Sequence, residues 1–105
     1  MIKVVYNACY GGFDLSDEAK KELAFLKQVA VEDLNIRWGW EDNYIPRHDP
    51  DLIAVVERLG AHAASGSYAN LQIEVIEGDR YYINDYDGNE SVETPETIDW
   101  VVVNE

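Results

Sequence analysis

The chain has 105 residues and carries 21 acids against 8 lysines and arginines, a net charge of −13. That length gives one modest core, and the charge leaves no basic stripe for holding nucleic acid. A 47% hydrophobic share is that of a folded domain, and no apolar run approaches the roughly 18 residues of a membrane helix.

Ile2, Val4, Val5 and Tyr6 predict a short opening strand, internal to a sheet, which Gly11-Gly12 breaks. Ser16 is a good N-cap, and Asp17 and Glu18 suit the positive end of a helix. Ala19, Leu23, Leu26 and Ala30 recur at helical spacing, with Lys20, Lys21 and Lys27 outside. A helix is therefore expected from about Asp17 to Val29. Leu34, Ile36, Trp38 and Trp40 alternate with polar residues and Gly39, the pattern of a strand or extended segment. Glu41 to Arg47 reads as an exposed loop holding Pro46. Asp49 then supplies an N-cap and Pro50 the first helical position of a second helix, with Leu52, Val55, Val56 and Leu59 inside and Gly60 at its end.

Ala61 to Ser67 is small and glycine-punctuated, the composition of a further short helical turn. Leu71, Ile73 and Val75 make a half-buried strand. Gly78-Asp79 turns it into Tyr81–Tyr86, and Asp87-Gly88 turns again into Asn89–Thr94. Ile98 to Val103 is expected to be a final strand. Helices first and strands afterwards indicate an α+β domain spanning 1–105. The expected form has two layers: a mostly antiparallel sheet of four to five strands, with two amphipathic helices on one face. Cys9 is the lone cysteine, and Met1-Ile2 is broken by Lys3. Both features fit the cytoplasm rather than an oxidising compartment or a signal peptide.

Charge is unevenly spread, and the skew carries the first functional expectation. Residues 71–105 hold ten acids and one base, Arg80, whereas residues 1–70 hold eleven acids and seven bases. Negative charge gathered on one region attracts basic protein surfaces and repels nucleic acid. Within it, a two-residue Asp87-Gly88 turn places Ile83 opposite Val92 and Asp85 opposite Glu90. Two like charges facing each other break a local rule, and such places tend to be functional. Asp85, Asp87, Glu90 and Glu93 are the expected partner contacts, with Tyr82 and Tyr86 on one strand face as anchors. As a calcium loop the segment fails, because its glycine comes two positions early and no glutamate closes a twelve-residue loop.

No catalytic residue is assigned. Cys9-Tyr10-Gly11-Gly12-Phe13 follows a strand as phosphate loops do, yet it lacks their signatures, and Asp14, Asp17 and Glu18 oppose an anion. A tight turn with Tyr10 and Phe13 packed over it, and a buried inert thiol, is the expectation. The alternative function is a metal or small-ligand domain. Zinc or another divalent cation would use Cys9, His48 and Asp49, although no C-x-x-C or H-x-x-x-H spacing is present. Otherwise no cofactor is expected.

Three segments taken together, Asn7-Ala8-Cys9-Tyr10-Gly11-Gly12-Phe13-Asp14-Leu15-Ser16, Pro46-Arg47-His48-Asp49-Pro50 and Tyr82-Ile83-Asn84-Asp85-Tyr86-Asp87-Gly88-Asn89-Glu90, resemble a family of small acidic proteins carried by phages and prophages. The resemblance spans most of the chain in the family's order; members often have a basic residue where this chain has Ala8. It implies a phage context in the host bacterial cytoplasm. There, small acidic domains often inhibit host defence, as anti-CRISPR proteins and DNA mimics do. The implied partner is a nucleic-acid-binding host protein, a CRISPR effector nuclease in the sharpest form, whose heteroduplex channel is strongly positive.

Overall fold

The structure, a computed structural model, describes residues 1–34 and 45–95. The elements in chain order are β1 (Ile2–Asn7), α1 (Asp17–Lys27), a 3-10 turn (Val31–Asp33), α2 (Pro50–Leu59), α3 (Ala61–Ala64), β2 (Leu71–Ile76), β3 (Tyr82–Tyr86) and β4 (Asn89–Glu93). The α+β class holds. The expected single sheet does not: among the described residues there are two separate antiparallel pairs, β1–β2 and β3–β4. The expected strand at 98–103, and nearly all of the alternating segment 34–40, lie outside the described residues.

Both helices start where the capping residues require. Ser16 accepts from the Ala19 N–H, and Asp49 accepts from Asp51 and Leu52 with Pro50 behind it. α1 stops two residues short of the expected end because Gln28 turns left-handed at φ 58°, letting its N–H return to the helix carbonyls. Its inward face is Ala19, Leu23 and Ala24, while Leu26 and Ala30 are exposed. α2 buries Leu52, Val55 and Val56 against β1 and α1. These residues join Val5, Leu15 and Leu71 in one core.

β1 is covered on both faces, since Val4 and Val5 are both fully buried. Its register with β2 pairs Val5 with Ile73 and Asn7 with Leu71. β2 is less regular: Leu71 and Ile76 are buried, but Val75 is exposed. On the other edge of β1, the Val5 N–H donates to the Arg47 carbonyl at 2.9 Å and the Asn7 N–H to the Glu90 carboxylate at 2.9 Å. A carboxylate from β4 thus takes an N–H on the edge of β1 that does not face β2. The two ladders stay separate among the described residues: the hairpin meets β1 through the Glu90 carboxylate and through its Gly88 carbonyl on the Asn7 side chain.

Candidate functional site

The three segments singled out in the sequence meet around Arg47. Its Nη1 and Nη2 donate to the two oxygens of Glu90 at 2.6 and 2.9 Å, a fork-on-fork pair. Both side chains are only 6% exposed. The guanidinium lies 3.7 Å from the centre of the Phe13 ring, a cation–π contact, and Nη1 also donates to the Val5 carbonyl at 3.3 Å. Asn7, fully buried, ties the remaining strands together. Its Nδ2 donates to the carbonyls of Cys9 and Gly88 at 2.7 Å each, and its Oδ1 accepts from the Asn70 N–H at 2.8 Å.

This centre is a clamp. Every polar group named is satisfied, and no buried side-chain polar atom lacks a partner among the described residues. It fixes the turn end of the β3–β4 hairpin, through Glu90 beside the turn and Gly88 within it. An added Cβ on Gly88 would sit 2.6 Å from the Tyr10 carbonyl, so the tip presses on the Tyr10-Gly11-Gly12 loop. Gly11 presses in turn on the Tyr68 backbone, to which the Cys9 thiol donates at 2.9 Å.

Glu90, expected to be a partner contact, is instead buried and engaged with Arg47 and the Asn7 N–H. The expected register itself is present, with Asp85 opposite Glu90 and Ile83 opposite Val92. The like-charge conflict is relieved because Glu90 goes to Arg47, while the Asp85 Oδ1 accepts from the Gly88 N–H at 2.9 Å. Asp85 and Asp87 are exposed, and Glu93 is half-buried with Ser91 donating to it at 2.9 Å. Tyr82 and Tyr86 are 52% and 72% exposed and share a strand face with Glu93, which pairs with Tyr82 in register. Asp85 alternates to the other face. A shallow cleft of about 330 Å³ joins Asp85, Asp87 and Gly88 to Tyr10, Gly11 and Gly12. Tyr10, expected to pack over its turn, is 65% exposed; Phe13 does pack. The candidate surface is therefore Asp85, Asp87 and Tyr10, with Tyr86 exposed on the opposite face of β3.

The proposed metal ligands have other partners. The Cys9 thiol donates to the Tyr68 carbonyl at 2.9 Å, with Asn7 Oδ1 a more distant alternative acceptor at 3.4 Å; the His48 Nδ1 is bonded to the Tyr81 hydroxyl at 2.6 Å; Asp49 caps α2 and takes Lys27 at 2.6 Å. Among the described residues, no group of three His, Cys, Asp or Glu side chains is placed to hold a metal ion. No helix there is long and apolar enough to cross a membrane.

Asn7 and Arg47 were quoted in motifs but given no role. Asn7 had a signal: it lies on the inward face of an otherwise apolar strand, where a polar residue survives only if bonded. No protein-family model, curated protein or solved structure matches the chain.

Proposed function

We propose that the chain is an inhibitory binding protein that seats its acidic, tyrosine-bearing hairpin end on a basic nucleic-acid-binding surface of a host nuclease. A CRISPR-type effector is the fullest form of the proposal and the one that the phage resemblance implies. The observation that supports it most is that exposed Asp85 and Asp87 lie beside exposed Tyr10 at a hairpin end which Glu90 and Gly88 hold to the core, with Tyr86 exposed on the other face of the same strand. Fixed carboxylates meet a positive surface without an ordering cost, and tyrosines supply contact area at low entropy. The net charge of −13 adds long-range attraction to such a surface.

The test is DNA cleavage by a panel of RNA-guided nucleases, with and without the protein, at low and high salt. Inhibition that weakens as salt rises is expected. The Asp85→Asn/Asp87→Asn variant should inhibit about tenfold less well at low salt, since charge pairs lost at an interface are worth one to several kcal/mol. Equal inhibition by the variant and the parent, or none across the panel, overturns the reading. Glu90 is left intact, because its removal tests folding rather than contact.

A further inference from the structure

In so acidic a chain, one cleft runs against the charge. Arg47, His48 and Arg80, three of the chain's ten lysine, arginine and histidine residues, line a single open cleft of about 540 Å³ with Pro46, Tyr81 and Tyr82. Among the described residues one acid, Asp79, shares that lining. We propose that this cleft binds a small oxyanion, a phosphoryl or carboxylate group, held chiefly by Arg80 and His48.

Arg47 contributes a wall, since both of its terminal nitrogens serve Glu90. Arg80 is different. Its Nε reaches Asp79 at 3.4 Å, a long contact between two strongly exposed side chains and a weak one in water. A guanidinium has five N–H groups in a fork that matches two oxygens of a phosphate or carboxylate, so its outer edge remains to donate. His48 is aimed by its neighbour. The Tyr81 hydroxyl lies 2.6 Å from Nδ1 and the two rings meet edge to face, 5.6 Å apart. The contact occupies Nδ1; in the tautomer where the hydroxyl donates to Nδ1, the proton is on Nε2 and that nitrogen donates.

The overall negative charge does not forbid the site. Screening over about 8 Å at physiological ionic strength separates the cleft from charges farther off, so the first neighbours decide. Among the described residues, the lining of the cleft holds one acid, Asp79, one buried and balanced arginine, and the side chains of Arg80 and His48. The site is independent of the acidic surface proposed above and stands or falls apart from it.

The test is an NMR titration of the whole protein with inorganic phosphate, with sodium acetate in a second arm, both at constant ionic strength. The resonances followed are the His48 ring and the Arg80 side chain. Saturable shifts on both residues support the site, and the arm that saturates at lower concentration identifies the phosphoryl or carboxylate class. His48→Gln and Arg80→Gln should each weaken binding about tenfold, the loss expected for one charge-assisted hydrogen bond. Both side chains are exposed, and an unchanged melting temperature confirms that each variant folds. Shifts that rise linearly without saturating in both arms, or that persist unchanged in both variants, overturn the proposal.

Discussion

Asp87 and Gly88 carry the hairpin at the residue scale, and their backbone explains why the sequence chose them. Both have positive φ, 53° and 89°, as a two-residue turn matched to strand twist requires. Asparagine tolerates that region nearly as well as aspartate, and its side-chain oxygen can replace the Asp85 carboxylate as acceptor for the Gly88 N–H. Asp85→Asn and Asp87→Asn should therefore leave the thermal midpoint almost unmoved, which is what makes them clean probes of binding. Gly88→Ala should not. Left-handed backbone costs about 1–2 kcal/mol with a Cβ, and here the Cβ also meets the Tyr10 carbonyl. At about 4–8 °C per kcal/mol in a domain of this size, a drop of roughly ten degrees is expected by circular dichroism. A midpoint within a degree of the parent would contradict the packing described. The turn and its register were legible in advance because Asp-Gly is a local signal with one geometry. The fate of Glu90 was not, since its partner lies 43 residues earlier. A strand pattern says which residue stands opposite, not what covers the face.

Elements are joined by ion pairs that pH can read. Lys27, in the last turn of α1, reaches Asp49 at 2.6 Å and Asp51 at 3.2 Å, at the start of α2. Burial pulls the ammonium down, but hydrogen bonds to the two carboxylates and their charges outweigh it, leaving Lys27 above the ordinary 10.5. A raised lysine stabilises the fold fully below its unfolded value and loses that contribution as pH climbs through the folded one. Denaturant midpoints should thus fall above about pH 10.5, and Lys27→Met should remove that part of the decline. At the acid end, the hydrogen bond from Arg58 holds Glu22 below its ordinary 4.5. Its contribution is present above that value and lost as pH drops through the lowered one. Asp49 does two jobs, so two substitutions separate them. Asp49→Asn keeps an N-cap and loses the ion pair; Asp49→Ala loses both and should cost about 1 kcal/mol more in chemical denaturation. Equal costs would deny the cap a role. Helix starts were readable from Ser16 and Asp49-Pro50. The end of α1 was overrun because a left-handed Gln28 lacks the glycine that usually announces such a stop.

Two ladders become one molecule through a buried charge pair, and this governs how the whole protein should unfold. β3 is mostly exposed and β4 is only half-buried apart from Glu90, so apolar burial alone fixes the hairpin weakly. An isolated hairpin is marginal in water. What holds it is Glu90 between Arg47 and Asn7, with the Gly88 carbonyl on the Asn7 amide. Breaking a buried pair from one side strands a charge and costs about 3–5 kcal/mol, whereas replacing both partners with apolar groups is far cheaper. Arg47→Met should therefore destabilise strongly, because Glu90 then loses its counter-charge in a site 6% exposed. Glu90→Gln should cost less than Arg47→Met if the amide oxygen still receives the Asn7 N–H. The double variant Arg47→Met/Glu90→Leu should recover much of the loss, yet not all, since the Asn7 N–H then has no acceptor, a cost of about 1–3 kcal/mol. Hydrogen exchange locates the effect. In Arg47→Met, amides of residues 82–93 should lose protection well before those of β1 and α2, since the hairpin opens as a unit while the helical core stays closed. If protection instead falls evenly across β1, α2 and the hairpin, the clamp belongs to the global core and the hairpin is no separate unit.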